Sequence, residues 1–324
     1  MSKRKDGPRP AVIGTCSLSA RDISDSDQTL ANGLAMVDEM ARKADENGWS
    51  LDMVVLPEGF AHVDGSSSLE NAETLDGRTV TALAEKARKY STYAAVSLWL
   101  REGEETYNSV VMLDREGKSI GVYHKTFPVV LPDGSLEGGV TSGHEFPVFD
   151  LDFGRVGVQI CFDVCYDEGW EALAAQEAEL VLFPSAAPGV SALISHAYRH
   201  AYYIVASTYR PPAIIVNPLG HEIAKAANDR EVVVVRIDLD YRILPSRFIW
   251  TRGNEVKKKY GDSVDFGWHD AEGFCLLTSS DPKLPIGRLV EMENLETISD
   301  FLSRNQQAQT AARGRSLSMP EHGR

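Results

Sequence analysis

Short apolar runs alternate with amphipathic segments along the chain, and this pattern predicts a mixed α/β protein. Apolar-rich runs at residues 11–17, 51–56 and 93–99 predict strands. Between them, residues 27–47 and 80–90 predict helices. The first of these helices repeats apolar positions at helical spacing, which places them on one face: Leu30, Leu34, Val37 and Ala41.

The same order of elements occurs twice, as β-α-β-α-β-β-β. Strands at residues 108–114 and 119–124, joined by the turn at Asp114–Gly117, complete the first copy. The second copy has strands and helices in the same sequence: strands 155–160, 180–183, 202–207, 213–217 and 232–237, and helices 168–178 and 192–198. No repeat is visible at the level of residues, but the order predicts two similar halves of a layered sandwich.

The periodic pattern covers only part of the chain, which suggests three regions. Residues 1–10 are expected to form an N-terminal tail, and residues 11–285 a single large domain. Residues 286–324 are expected to be a C-terminal extension, partly disordered, with one short helix at residues 295–304.

Composition narrows the possible partners and location. The 324 residues include 33 Lys and Arg against 47 Asp and Glu, a net charge of −14, which disfavours nucleic acid and anionic membranes as partners. No apolar run approaches the roughly 18 residues of a transmembrane helix. The four cysteines are too few for a disulfide scaffold in a chain of this size. We therefore expect a cytoplasmic protein with free thiols.

Three reactive side chains follow predicted strands: Glu58, Lys125 and Cys161. Ligands of open α/β sheets collect at the carboxyl ends of strands, so the three are candidates to share one pocket. Each also has an ordinary structural interpretation when taken alone, as a loop carboxylate, a solvated lysine and a small buried thiol.

The chemistry of the three residues fits together. Cys161 lies on a turn before a helix, where backbone N–H groups can lower the pKa of the thiol. The same groups, with the Phe162 N–H nearest, can hold a developing oxyanion. Glu58 beside an apolar strand is expected to have a raised pKa, which suits a general base. The ammonium of Lys125 can stabilise the oxyanion and balance the negative charges.

The three segments Leu56-Pro57-Glu58, Tyr123-His124-Lys125 and Ile160-Cys161-Phe162-Asp163, in this order, resemble the Glu–Lys–Cys signature of the nitrilase superfamily of carbon–nitrogen hydrolases. The resemblance extends over residues 12–237. It implies a four-layer αββα sandwich that forms a homodimer or a higher homo-oligomer, and a mechanism without metal or cofactor.

The resemblance also implies roles for individual residues. Glu58 would take the thiol proton, Cys161 would attack the amide-type carbon to give a thioester, and Lys125 would hold the oxyanion. Glu137, twelve residues past Lys125, is the best match for a further glutamate that orients the lysine or the substrate, and Glu145 fits less well. The expected substrate contacts are Phe162, Phe60, Tyr166 and Ala186.

Departures from the family pattern limit what can be said of the substrate. Cys161-Phe162-Asp163 replaces the Cys-Trp-Glu of nitrile-cleaving members, which favours a linear amide or an N-carbamoyl compound. Residues 198–209 are atypical, so a catalytically silent binding or scaffold protein stays an alternative. Transfer of the acyl group to an amine is another. A papain-like peptidase is disfavoured, because neither His124 nor His144 lies in a recognisable motif.

Overall fold

The computed structural model describes residues 7–19, 25–62, 69–245, 247–269 and 273–314. It divides into two compact units, one formed by Arg9–Leu239 and the other by Asp240–Arg324 with the residues before Arg9. The first unit therefore ends well before residue 285, where the sequence placed the end of the hydrolase domain. That single domain over residues 11–285 stays a prediction.

The unit Arg9–Leu239 contains both predicted copies of the strand and helix order. The first half consists of β1 (Pro10–Ser17), α1 (Ser26–Glu46), β2 (Met53–Val55), α2 (Arg78–Tyr90), β3 (Tyr93–Glu102), β4 (Glu105–Leu113) and β5 (Ser119–His124). The second half consists of β6 (Val148–Asp150), β7 (Arg155–Val158), α3 (Asp167–Ala175), β8 (Leu180–Ser185), α4 (Val190–His200), β9 (Tyr203–Thr208), β10 (Ala213–Val216), β11 (Glu222–Ala226) and β12 (Glu231–Asp238).

The strands of this unit form two layers that are hydrogen-bonded to each other at one edge. The order is β5-β4-β3-β2-β1-β9-β8-β7-β6, with β12 on β1 and β10-β11 on β9. β1 and β9 share a single register pair, Ser17 with Thr208. Side chains also cross between these two strands, since Thr15 Oγ1 donates to the Ala206 carbonyl at 2.7 Å. The sheet thus folds at this joint into a β1–β5 layer and a β6–β11 layer.

Helices cover the outer face of each layer and bury two separate cores. α1 and α2 contribute Val37, Met40 and Leu83 to a core that includes strand residues of the β1–β5 layer. α3 and α4 contribute Trp170 and Leu193 to a second core on the β6–β11 layer. Buried apolar area of this kind is the main stabilising term of such a fold. The αββα order confirms the predicted fold class.

The buried face of α1 lies about one position away from the predicted face. Leu30, Leu34 and Ala41 are only partly buried. The buried residues of the helix begin with two small ones and are Thr29, Gly33, Val37, Met40 and Ala44. Gly33 explains the shift, because a Cβ there would lie 2.3 Å from the ring of Phe60. The helix turns its small residues inward to make room for that ring.

Two short strands, β6 and β11, are absent from the prediction, and β12 has a partner in the other half. β6 has three residues, and β11 (EIAKA) has mixed exposure with no apolar run, so neither gives a periodic signal. β12 returns to pair antiparallel with β1 along its whole length, from Pro10–Asp238 to Ser17–Glu231. It completes the first layer rather than the second.

The second unit has its own small sheet and core. Strands β13 (Tyr241–Leu244), β14 (Val264–His269) and β15 (Cys275–Ser279) pair in the order β13-β15-β14. The helices are α5 (Asn254–Tyr260), α6 (Ile286–Met292) and α7 (Ile298–Arg313). α7 ends at Arg313, nine residues past the predicted end at residue 304. A capping box at Thr297 and Asp300 begins this helix, and left-handed Gly314 ends it.

The predicted short, partly disordered extension therefore has two helices up to Arg313, and residues 315–324 lie outside the described residues. No helix in the described part of the chain is long and apolar enough to cross a membrane.

Candidate active site

The two layers bring the three predicted catalytic residues together. Glu58 follows β2 and Lys125 follows β5 in the β1–β5 layer, whereas Cys161 follows β7 in the other layer. Lys125 is 1 % exposed, and its Nζ donates to Glu58 Oε1 at 3.1 Å. The Cys161 thiol lies close enough to both charges to be affected by them. The strand ends thus bring all three into one cluster, in which Glu58 and Lys125 are buried and Cys161 is half-buried.

Glu58 is held by three donors from three parts of the chain. Besides Lys125, the Asn108 side-chain amide donates to Oε1 at 2.7 Å, and the Ala186 backbone N–H donates to Oε2 at 3.0 Å. Burial alone would raise the pKa of Glu58, but Lys125 and the Asn108 hydrogen bond outweigh it and lower the pKa below its ordinary value. The expected rise in this pKa is therefore wrong.

Lys125 lies between two carboxylates, because its Nζ also donates to Glu137. Burial disfavours the ammonium, but the charges of Glu58, Cys161 and Glu137 raise the pKa of Lys125 well above its ordinary value. Lys125 is thus a fixed positive charge at any ordinary pH. Glu145 is exposed and lies near His144, so the structure favours Glu137 over Glu145 as the partner of Lys125.

The position of Glu137 depends on the long loop after Lys125. The loop is fixed at Glu137 by a hydrogen bond from its N–H to the Val129 carbonyl at 2.8 Å, and Glu137–Gly139 form one 3-10 turn. Further along, the Gly143 N–H donates to the Lys125 carbonyl at 2.8 Å. The loop therefore returns to the lysine and brings a carboxylate with it.

Cys161 begins a 3-10 turn, Cys161–Cys165, with a φ of +47°. A non-glycine residue in this conformation is strained, and such strain is frequent at functional turns. Burial raises the pKa of the thiol to about 12, Glu58 adds to this, and Lys125 and hydrogen bonds from Ser185 and Ala186 only partly oppose it. The expected lowering of the thiol pKa is wrong: at neutral pH Cys161 is a neutral thiol that needs a base.

The Phe162 N–H lies at the start of this turn, where it can donate to an oxyanion. Asp163 N–H donates to the Ile160 carbonyl at 3.0 Å, so the Phe162 N–H precedes the first bond of the turn. N–H groups at this position have no acceptor within their helix. The predicted role of Phe162 N–H as an oxyanion donor agrees with this position.

Asp163 connects the cysteine turn to the lysine strand, a role that the sequence did not suggest. This fully buried carboxylate accepts from the Ile160 N–H at 2.8 Å, the Tyr123 hydroxyl at 2.7 Å and the Phe127 N–H at 2.9 Å. Burial raises the pKa of Asp163 to about 6, against these hydrogen bonds and the charge of Lys125. Because its donors come from both sides of the site, this buried carboxylate fixes the cysteine turn relative to the segment around Lys125.

The four predicted substrate contacts occupy different environments. Phe162 and Tyr166 are half-buried and form an edge-to-face pair, and Tyr166 stacks on Phe127 with 4.1 Å between ring centroids. Their partial exposure is compatible with a pocket wall. The Ala186 N–H faces Glu58. Phe60 requires a correction, because it is 1 % exposed and packs in the core under α1 rather than on an open surface.

Asn108 and Tyr123 are further site residues that the sequence did not single out for a role. Both lie on strands of the first layer, in segments that also carry the family resemblance. The available signal was a buried polar residue in an apolar strand, which usually has a specific hydrogen-bond partner. Across the part of the chain that the structure describes, no cluster of three or more His, Cys, Asp and Glu residues is arranged to hold a metal ion.

Comparison with known proteins gives a family match over most of the chain. Residues 11–243 match the family model described as carbon-nitrogen hydrolase. A citrullinase of Francisella tularensis is 30 % identical over 166 residues, covering 48 % of this chain but only 56 % of that protein. An N-carbamoylputrescine amidase of Solanum lycopersicum is 26 % identical over 264 residues, covering 68 % of this chain and 85 % of that protein.

Solved structures agree at the level of the fold. A carbon–nitrogen hydrolase from Helicobacter pylori G27 superposes with a TM-score of 0.64 at 18 % identity, covering 78 % of this chain and 93 % of that one. An amidase from Nesterenkonia sp. AN1, with an acetamide moiety added at its active-site cysteine, has a TM-score of 0.58 at 19 % identity, covering 80 % of this chain and 99 % of that one.

Proposed function

Because this chain belongs to the carbon–nitrogen hydrolase family, of the amidase type, we propose that it hydrolyses a linear amide or an N-carbamoyl compound through a thioester on Cys161. The observation that carries the proposal is the buried contact of Lys125 with Glu58, beside a neutral thiol. A proton acceptor, a fixed cation and a nucleophile are the groups that amide hydrolysis needs.

The first half of the reaction transfers one proton and one acyl group. Glu58 takes the proton of the Cys161 thiol while the sulfur attacks the carbonyl carbon, and the Lys125 ammonium with the Phe162 N–H holds the oxyanion. The lowered pKa of Glu58 keeps it ionised before the attack. The C–N bond then breaks, and Glu58 returns the proton to the departing nitrogen as ammonia or an amine.

The second half releases the acid and restores the thiol. Water replaces the amine, Glu58 takes one of its protons, and the resulting hydroxide attacks the thioester carbon. The C–S bond breaks and the sulfur recovers the proton from Glu58. Glu137 keeps Lys125 in place through both halves by the contact of its carboxylate with the lysine Nζ.

A panel of linear amides and N-carbamoyl compounds, assayed for ammonia release, tests the proposal. We expect turnover of at least one compound, loss of that activity in Cys161→Ala, and retention of it in Cys165→Ala, a matched control at an exposed thiol. Full activity in Cys161→Ala would contradict the mechanism.

The same samples separate the two alternatives. A catalytically silent binding protein would release no ammonia, and intact mass after low-dose iodoacetamide would show no preference for Cys161. Acyl transfer would appear as an amide or hydroxamate product when an amine or hydroxylamine is added. The expected homodimer stays a prediction, which the molar mass in solution tests.

A further inference from the structure

The two carboxylate oxygens of Glu58 have different partners. Oε1 accepts from the Lys125 ammonium at 3.1 Å and from the Asn108 amide Nδ2 at 2.7 Å. Oε2 accepts from the Ala186 N–H at 3.0 Å. Each oxygen of an ionised carboxylate has two lone pairs. Lys125 and Asn108 therefore occupy both lone pairs of Oε1, whereas Oε2 keeps one lone pair for a further donor.

Oε2 lies on the side of the nucleophile. The Ala186 N–H, which donates to Oε2, is also hydrogen-bonded to the Cys161 sulfur. The thiol of Cys161 is in turn hydrogen-bonded to Glu58. One N–H group thus adjoins both Oε2 and the sulfur, while Oε1 is occupied by Lys125 and Asn108. The direct acceptor for the thiol proton is therefore Oε2.

The buried side chain of Asn108 is better explained by its contact with Glu58 than by stability. Asn108 lies on β4 and is 3 % exposed. Its Nδ2 donates to Glu58, but no described residue donates to its buried Oδ1. A buried polar atom without a partner costs stability, so the amide is an expensive residue for an apolar strand. Its backbone carbonyl accepts from the Lys125 N–H at 2.8 Å, which keeps the base and the cation on one support.

Resting on the proposed function, we propose that Asn108 is a positioning residue that saturates Glu58 Oε1 and so restricts proton transfer to Oε2, beside Cys161. In the first half of the reaction the S–H bond breaks while the S–C bond and an O–H bond at Oε2 form, and the negative charge passes to the oxyanion. When the C–N bond breaks, the proton leaves Oε2 for the departing nitrogen. In the second half Oε2 takes a proton from water and returns it to the sulfur.

Removing the amide makes Oε1 a second, unproductive place for the proton. A proton bound there lies on the side of Glu58 away from the Cys161 sulfur. Asn108→Ala should therefore lower kcat about 10- to 100-fold, the scale for a small misplacement of reacting groups. KM should change much less, because the amide contacts Glu58 rather than the substrate. The thermal unfolding midpoint should change little, because the variant removes a hydrogen bond and the unpaired Oδ1 together.

Asn108→Asp keeps the shape of the side chain and gives a pH signature. Two adjacent carboxyls share one proton, which the pair holds more strongly than either group alone. While the pair holds that proton, the introduced carboxyl can donate to Glu58 Oε1 as the amide does. Activity should therefore be partly retained at acid pH and fall as the pH rises through the pKa of the pair, a limb that the wild type lacks. The other charged and titratable groups of the site are unchanged: Lys125, Glu137, Cys161 and Asp163.

Alkylation by iodoacetamide measures the same proton transfer without turnover. The reaction of Cys161, followed by the mass of its peptide, also requires loss of the thiol proton. Its rate should fall in Asn108→Ala and show the new pH limb in Asn108→Asp. The exposed thiol of Cys165 in the same molecule is the internal reference and should react at an unchanged rate.

A second buried asparagine provides the matched control. Asn217 is 1 % exposed in the turn after β10, where its Oδ1 accepts from the Leu219 and His221 N–H groups, each at 3.0 Å. Asn217→Asp makes the same chemical change and preserves these acceptor contacts. It should leave the pH profiles of turnover and of Cys161 alkylation as in the wild type.

The outcomes separate this proposal from the proposed function. Unchanged turnover and alkylation in Asn108→Ala would overturn the assignment. So would an Asn108→Asp profile that is lowered by the same factor at every pH, because a merely structural residue would produce it. If Cys161 alkylation depends on Asn108 in a protein that hydrolyses none of the amides, hydrolysis is refuted and the positioning role stands. Turnover without dependence on Asn108 would refute the positioning role alone.

Discussion

Replacing Asp163 by asparagine should separate the activity of this protein from its stability. The carboxylate accepts three hydrogen bonds, from Ile160 N–H, Phe127 N–H and the Tyr123 hydroxyl. The Ile160 N–H and the Tyr123 hydroxyl share Oδ2, and the Phe127 N–H has Oδ1. An asparagine can present only one oxygen, so its amide NH₂ faces either the two donors at Oδ2 or the one at Oδ1. Asp163 then loses its hydrogen bond either to the segment before Cys161, at Ile160, or to the segment after Lys125, at Phe127.

The two effects on stability are of opposite sign at pH 7. Ionised Asp163 costs about 3 kcal/mol, because its pKa is about 6 against an ordinary 3.8 and a tenfold change in proton affinity is worth about 1.4 kcal/mol. Asparagine avoids that cost but leaves a buried donor unpaired, at about 1–3 kcal/mol. The free energy of unfolding should therefore stay within about 2 kcal/mol of the wild type.

The pH dependence of the unfolding free energy gives the sign of the effect. A carboxyl with a raised folded pKa contributes stability that is fully present below its unfolded pKa and is lost as the pH rises through about 6. The difference between wild type and Asp163→Asn should thus change by about 2 kcal/mol between pH 4 and pH 7, in favour of the wild type at pH 4, because pH 4 already lies slightly above the ordinary pKa of 3.8. Urea unfolding at both pH values measures it, with exposed Asp45→Asn as the matched control.

Activity should change in the opposite direction, because the ionised form is the one that accepts from all three donors. In the wild type, kcat/KM should fall on the acid side with an apparent pKa of about 6, whereas Lys125 and the Asn108 hydrogen bond keep the pKa of Glu58 below its ordinary value, so that Glu58 does not account for this limb. The kcat/KM of Asp163→Asn should not fall near pH 6. Its plateau should lie about 10- to 100-fold below that of the wild type, the scale expected for a small misplacement of reacting groups.

One result would refute this reasoning. If the limb near pH 6 persisted in Asp163→Asn but disappeared in His124→Gln, the titrating group would be His124. This histidine adjoins Lys125 in sequence, contacts Ser109 at 2.8 Å and lies 3.6 Å from Glu102.

Three further predictions test the roles of other residues. Glu137→Gln, which keeps the shape but removes a charge from Lys125, should lower kcat/KM about 10-fold or more with little change in thermal stability; equal activity would exclude an electrostatic role. Phe60→Ala should cost about 3–5 kcal/mol in urea unfolding, as a core ring does, and a change confined to KM would instead restore it as a substrate contact. Glu179→Ala should cost about 3–5 kcal/mol by leaving buried Arg9 without its two-pronged partner at 2.6 and 2.7 Å, and unaltered urea unfolding would show that the pair is dispensable.

The sequence predicted the elements with strong periodicity and the order of the reactive residues. β1, β5 and α2 lie within a few residues of their predicted bounds, because apolar runs and amphipathic spacing depend on local sequence alone. The buried face of α1 was displaced because it depends on Phe60, a residue from another segment. β12 was assigned to the second half because strand pairing over more than 200 residues leaves no local signal.

The electrostatics of the site could not be predicted from single residues. A carboxyl beside an apolar strand suggests a raised pKa, yet the pKa of Glu58 is lowered because Lys125 and Asn108 converge on it. A thiol at a turn suggests a lowered pKa, yet burial and Glu58 raise that of Cys161. Each sign depends on which charges meet in three dimensions, and Asp163 could be recognised only once its three donors were known.

The site is formed by the docking of two layers that share one backbone register pair, Ser17 with Thr208. The bonds that cross the site join residues next to reactive ones: Ala186 N–H to Glu58, and the Tyr123 hydroxyl to Asp163, two residues after Cys161. A small shift between the layers would therefore move the thiol relative to its base and its cation before it disturbed either hydrophobic core. Substitutions at these crossing bonds should reduce turnover more than they reduce stability, as argued for Asp163, whereas substitutions in the two cores should do the reverse.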